Sequence, residues 1–236
     1  MGMIKITTRR ILAGLIAIVL VGCTSQTEGT NNLSRLFAEA VQSRVDGQAV
    51  GTLPKVVVTP GMLARTTVAA LQVNPEIVGG SDFLRRVARR NDSSFGTVEI
   101  WNSSFGGQIF LRNGVVVGSR GLGGDMISAD ADMTVRALSA RAGRSALRTY
   151  TISDGDTTST QMQFRCEIQN LGAENITIVN QVFQTSHMQE ICTGGPGGDK
   201  VLKNDYWVGG ATGLVHKSRQ WVGPTIGYFE FILLKN

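Results

Sequence analysis

Histidine is nearly missing from this 236-residue chain: His187 and His216 are the only two, and cysteine occurs three times. A Cys/His zinc site therefore lacks ligands at any standard spacing. A serine triad needs a histidine base and a nucleophile on a strained turn, and no G-x-S-x-G stretch supplies one. No apolar run reaches the roughly 20 residues that a bilayer-spanning helix requires. Basic residues are scattered rather than massed, so the electrostatic footprint of a nucleic-acid binder is absent. No repeat recurs at a fixed period.

The first 22 residues carry an address. Lys5, Arg9 and Arg10 precede a short apolar run from Ile11 to Gly22, which is the pattern of a signal peptide. The run ends in Leu20-Val21-Gly22-Cys23, which resembles the bacterial lipobox. That resemblance implies that Cys23 becomes the first mature residue, carries a diacylglyceryl thioether plus an N-acyl group, and attaches the chain covalently to a membrane. One acyl chain binds only marginally, whereas three hold essentially permanently. Thr24 and Ser25 follow the cysteine where inner-membrane retention would place an aspartate, so outer-membrane sorting is implied. Loss of the leader removes three of 23 basic residues and none of 18 acidic ones, leaving 20 against 18, a net charge of +2. The basic pI is therefore partly a property of the leader.

Cys166 and Cys192 remain. An oxidising periplasm favours their pairing as a disulfide, and in the chain-entropy model closing that loop contributes ~3.5 kcal/mol.

Residues 23–32 are too polar to form a core and are predicted to be a flexible tether. Leu33, Leu36, Phe37, Ala40, Val41 and Val45 then recur at helical spacing behind Asn32, which predicts an amphipathic helix over 33–46 at the start of one domain, 33–236. Beyond it the chain turns to short alternating runs separated by Gly, Pro, Asn and Asp. "KVVV" before Thr59-Pro60 is predicted as a strand, and Leu63 to Val73 fits a strand or a helix. Phe83–Arg90, "GTVEIWN", "GQIFLRN" and "GVVVGSRG" follow, with Asn113-Gly114 as the strongest hairpin signal. Val135, Leu138 and Ala142 permit a second short helix. "ALRTYTIS" and "STQMQFRCEIQNLG" flank a turn at Asp154-Gly155-Asp156, "NITIVNQVFQTSHMQEIC" extends the meander, and "LVHKSRQWV" and "IGYFEFILL" close it. About ten hairpin-linked strands and at most two helices predict a single, mainly β, antiparallel domain.

Three stretches invite a functional reading. "SRGLGGDM" (119–126) looks like a phosphate loop, but Met126 stands where a dinucleotide fingerprint needs its third glycine, no βαβ unit follows, and no Lys-Ser/Thr pair completes a Walker loop. No nucleotide is expected there; a glycine-permitted bend is, with Arg120 and Asp125 as partner-contact candidates if exposed. "DGDTTST" begins like a calcium loop, yet Ser159 replaces its glycine and Arg165 its bidentate glutamate. No metal and no cofactor is expected. "NDYWVGGATGLVHKSRQWVGP" (204–224) combines Tyr206, Trp207 and Trp221 with Lys217 and Arg219, the residue types that sugar and protein interfaces share. A hairpin whose tryptophans belong to the core is the competing reading.

The lipobox at Cys23, "LRNGVVVGSRGLGGDM", the cysteines at 166 and 192, and the 204–224 segment together resemble the YjbF/GfcB family of lipoproteins of group 4 capsule and exopolysaccharide production. The resemblance spans most of the mature chain, with Gln48–Val98 matching only in character. It implies a partly open, half-barrel β fold, an outer-membrane lipoprotein facing the periplasm, and no assigned catalytic residues. The expected role is a non-enzymatic accessory or assembly factor in polysaccharide secretion, with export proteins or the glycan itself as partner. Two alternatives stay open: a lipid or lipoprotein carrier with a concave pocket, and a glycan-modifying enzyme using two of Asp125, Asp130, Asp154 and Glu230.

Overall fold

The computed structural model describes residues 54–103, 106–155 and 157–236. The predicted leader, Cys23 with its tether, and the helix at 33–46 lie outside the described residues.

The described chain forms twelve strands: β1 (Ala70–Pro75), β2 (Asp82–Arg90), β3 (Val98–Ser103), β4 (Gln108–Arg112), β5 (Val115–Arg120), β6 (Met126–Ala129), β7 (Arg144–Ser153), β8 (Ser159–Ile178), β9 (Gln181–Gly194), β10 (Lys200–Gly209), β11 (Val215–Gly223) and β12 (Gly227–Lys235). Two helices accompany them, α1 (Pro60–Arg65) and α2 (Asp132–Ala140). All ladders are antiparallel, in the order β5-β4-β3-β2-β1-β12-β11-β10-β9-β8-β7-β6. The two edge strands are consecutive in sequence and lie against each other, so the sheet is a nearly closed barrel.

Period-two patterning explains the wall. In β8, Met162, Phe164, Cys166 and Ile168 are buried and alternate with exposed Gln161, Gln163, Arg165 and Glu167. Asn113 and Gly114 take φ of 46° and 86°, as the predicted Asn-Gly hairpin requires. The β8–β9 turn has the same handedness at Val179 and Asn180 without any glycine, so the sequence hides it, and β8 runs straight through Asn175–Ile178 where two separate strands were expected.

"KVVV" is a correction. Residues 55–58 pair with no strand among the described residues, and Val57 stays exposed. Thr59 then caps α1 by accepting from the Met62 N–H at 3.3 Å, with Pro60 in the first turn. The ambiguous stretch 63–73 thus divides between a helix end and β1.

The barrel interior is filled. One apolar cluster includes Leu71, Trp101, Tyr150, Phe164, Trp221 and Phe229, and a second, closed by α2, includes Val135, Leu138, Ile168, Met188 and Tyr206. Polar groups stand between these clusters. Arg148 meets Glu190 at 2.6 Å, and Glu190 also accepts from Thr134 (2.6 Å) and Asn204 (2.8 Å). Edge strand β5 is tied in by side chains: the Val116 N–H donates to Gln220 at 2.8 Å, Gln220 donates to the Gly114 carbonyl at 2.7 Å, and Arg148 donates to the Val116 carbonyl at 3.2 Å. Backbone groups that a thirteenth strand would have taken are satisfied from across the barrel. Cys166 and Cys192 lie directly opposite each other on β8 and β9 and are joined as a disulfide.

Candidate interaction surface

The outer wall of β10–β12 is built from residues two apart. Asp205 and Trp207 on β10, Lys217 and Arg219 on β11, and Tyr228 and Glu230 on β12 alternate with interior neighbours, so they share the outward face. Trp207 is cross-strand from both His187 and Lys217. The His187 ring stacks on it at 4.6 Å between centroids and 12° between planes, and the Lys217 ammonium lies 5.1 Å from its centroid. His187 is held between Asp205 (2.9 Å) and Glu174 (3.0 Å), and Gln189 donates to Asp205 at 2.8 Å. Lys217 meets Glu230 at 2.6 Å, and Asn74 on β1 donates to the same carboxylate at 2.7 Å. A continuous stripe therefore crosses β8, β9, β10, β11, β12 and β1.

Arg219 extends it sideways. Its guanidinium pairs with both oxygens of Glu76, at 2.6 and 2.8 Å, and lies 3.8 Å from the Tyr228 ring centroid. Hydrogen bonding to Glu76 raises the Arg219 pKa against the opposing effect of desolvation. Burial alone would raise Glu230, but the Lys217 and Asn74 bonds overcome it and hold its pKa below the ordinary carboxylate value. His216 lies at the end of the stripe, where burial lowers its pKa and Phe183 covers its ring at 4.4 Å. Gly209 makes room for it: a Cβ there would come within 2.6 Å of His216 Nε2 and of Thr212 Oγ1. Asp205, Lys217, Arg219 and Glu230 on this wall are each bonded to a neighbour, so these side chains are ordered before anything binds.

Of the six predicted contact residues, Trp207 and Arg219 lie on this wall. Tyr206 and Trp221 do not and are corrected to core residues. Tyr206 faces inward because it lies between outward-facing Asp205 and Trp207, and its hydroxyl lies 3.3 Å from Glu190. Burial first, and then the Glu190 charge, raise its pKa. Trp221 turns inward beside a register shift in β11 and packs edge-on against Tyr150 at 5.2 Å. Arg120 is exposed at the end of β5, whereas Asp125 is neither free nor paired with it. The Asp125 carboxylate accepts from Ser119 (3.0 Å) and from the Gly121 (2.7 Å) and Leu122 (3.0 Å) N–H groups, stapling the loop that connects the two sheet edges. Gly121, Gly123 and Gly124 take φ of 78°, 77° and 145° in that loop, a bend open to glycine.

The carboxylates weighed for catalysis are dispersed. Asp125 staples the edge loop, Asp130 caps the Asp132 N–H at the start of α2, Asp154 bonds Thr160 across the β7–β8 turn, and Glu230 belongs to the outer stripe. Cys166, Glu190 and Cys192 bring ligand-type atoms within 4.8 Å of one another, but the sulfurs are bonded together and Glu190 is committed to Arg148.

His187, Asp205, Glu174, Glu76 and Tyr228 were missed as members of the stripe. Their signal was present as residues of one face spaced two apart, but it required the register of six strands to read.

The geometry defines a class: a nearly closed β-barrel with a filled interior and an ordered aromatic and charged stripe on its outside. The family described as group 4 capsule polysaccharide lipoprotein, GfcB and YjbF, matches residues 34–234, and the chain belongs to that family. Among solved structures, it is similar to the hypothetical lipoprotein YmcC from Escherichia coli (K12), with a TM-score of 0.65 at 19% identity over 76% of this chain and 89% of that one. A search of curated proteins returned no match.

Proposed function

We propose that this lipoprotein is a non-enzymatic accessory factor in capsule or exopolysaccharide secretion, anchored through Cys23 to the periplasmic face of the outer membrane. Its outer stripe is the surface that engages the export apparatus. The observation that carries the reading is the pre-paired arrangement of Trp207, Lys217, Arg219 and Tyr228 on a rigid wall. Trp, Tyr and Arg are the residues that dominate binding hot spots, and ordering them beforehand removes part of the entropic cost of association. A role in holding acyl chains is disfavoured, since the barrel interior is occupied by Trp101, Tyr150, Phe164, Tyr206 and the Arg148–Glu190 network. Deletion of the gene tests the role directly: surface polysaccharide is expected to fall and to return with a plasmid copy. Unchanged surface polysaccharide in the deletion strain overturns it.

A further inference from the structure

β8 and β9 are longer than their neighbours. β7 pairs with β8 only as far as Ile168, and β10 pairs with β9 only as far as Thr185, so residues 169–184 continue as a two-stranded arm. On the β9 side, the Gly210 N–H takes the Gln184 carbonyl at 3.2 Å. On the β8 side, Asn170 donates to the Arg141 carbonyl at 2.9 Å, and a bulge follows at Asn170–Gly172. From Gly172 to Ile178 the edge has no strand partner among the described residues. This run contains neither lysine nor proline, the usual guards of an exposed edge. Two apolar side chains flank it in the open, Leu171 at 50% and Val182 at 66% exposure.

We propose that this edge pairs with the same edge of a second copy, in antiparallel register about Asn175. A two-fold axis perpendicular to the sheet matches residues of equal parity, which leaves few registers. Centring on Asn175 uses the whole run, placing Gly172 opposite Ile178, Ala173 opposite Thr177, and Glu174 opposite Ile176. Leu171 then reaches the partner's turn. Centring on Glu174 would set two carboxylates face to face, which is unfavourable. Centring on Ala173 would use only three residues of the free edge, and centring on Ile176 only five. The single charge in the run, Glu174, is already engaged with His187 of its own chain. Confinement of a lipoprotein to a membrane raises the local concentration of copies, so a short interface suffices.

The register makes a single-cysteine test decisive in the full-length protein in its own membrane. Only a residue on the axis meets itself. Asn175→Cys, oxidised with copper phenanthroline, is expected to give a species of twice the monomer mass on a non-reducing gel. Thr177→Cys alone is expected to remain monomeric, and co-expressed Ala173→Cys and Thr177→Cys chains are expected to cross-link. Asn175 is exposed, so the substitution leaves the core untouched. A monomeric Asn175→Cys protein, an adduct of any other mass, or equal cross-linking of Thr177→Cys alone overturns the proposal.

Discussion

Two arginine–glutamate pairs, each closed at 2.6 Å, lie on opposite faces of the same wall: Arg148–Glu190 inside and Arg219–Glu76 outside. The inner side chains are 3% and 0% exposed, the outer ones 35% and 44%. Inside, burial opposes the Arg148 charge, and the Glu190 carboxylate together with Tyr150 and Tyr206 outweighs it, so its pKa ends up raised. Neither inner member can be lost without stranding a charge between two apolar clusters. Outside, water solvates whatever a substitution leaves unpaired, and a surface pair contributes only about 0–1 kcal/mol. The inner pair therefore belongs to folding, and the outer one is free to serve a partner.

The contrast is broken most forcefully from within. Arg148→Ala is expected to destabilise the fold by about 3–5 kcal/mol, as for other buried pairs that lose one member, measured by urea denaturation. A loss below about 1 kcal/mol would mean that water reaches Glu190. Next comes the disulfide, whose removal by Cys166→Ala with Cys192→Ala is expected to cost ~3.5 kcal/mol. Its measurement is the fall in Tm under non-reducing conditions, of about 7–14 °C for a domain of this size. Unchanged Tm would show that the β8–β9 ladder and the packed interior hold these strands without the bridge.

Smaller still is the acid response of the stripe. The folded pKa of Glu230 is depressed, so its contribution is complete above its ordinary value of 4.5 and is lost as pH falls through the lower folded value. Glu230→Gln should flatten that part of the stability–pH curve and leave the curve above pH 5 nearly parallel to wild type. A steeper acid limb in the variant would contradict the Lys217 and Asn74 assignment.

How much of this was legible beforehand divides along the same line. Most strands of the wall followed from alternation and from Asn113-Gly114, because those signals are local, whereas β6 and β10 were not read as strands and β1 was left between strand and helix. The β8–β9 hairpin was not legible, since Val179 and Asn180 adopt a left-handed turn that their identity does not announce. "KVVV" misled because β-branched residues favour a strand only where a neighbour exists to pair with. In the 204–224 segment the aromatic residues were conspicuous, but their division between core and surface depended on register: Tyr206 and Trp207 are adjacent and so face opposite ways, while Trp221 turns inward beside the shift near Gly223. Arg148 and Glu190, 42 residues apart in sequence, gave no signal at all. Barrel closure brings them together, and that is a property of the whole sheet.

The outer stripe is proposed to serve a partner without being needed for the fold. Its most direct test is surface polysaccharide in a deletion strain complemented with the Trp207→Ala, Arg219→Ala double variant, alongside the Tm of the purified variant. The account predicts a Tm within about 8 °C of wild type, from roughly 1–2 kcal/mol of lost surface contacts, together with surface polysaccharide near the deletion level. A stably folded variant that restores full surface polysaccharide would contradict it.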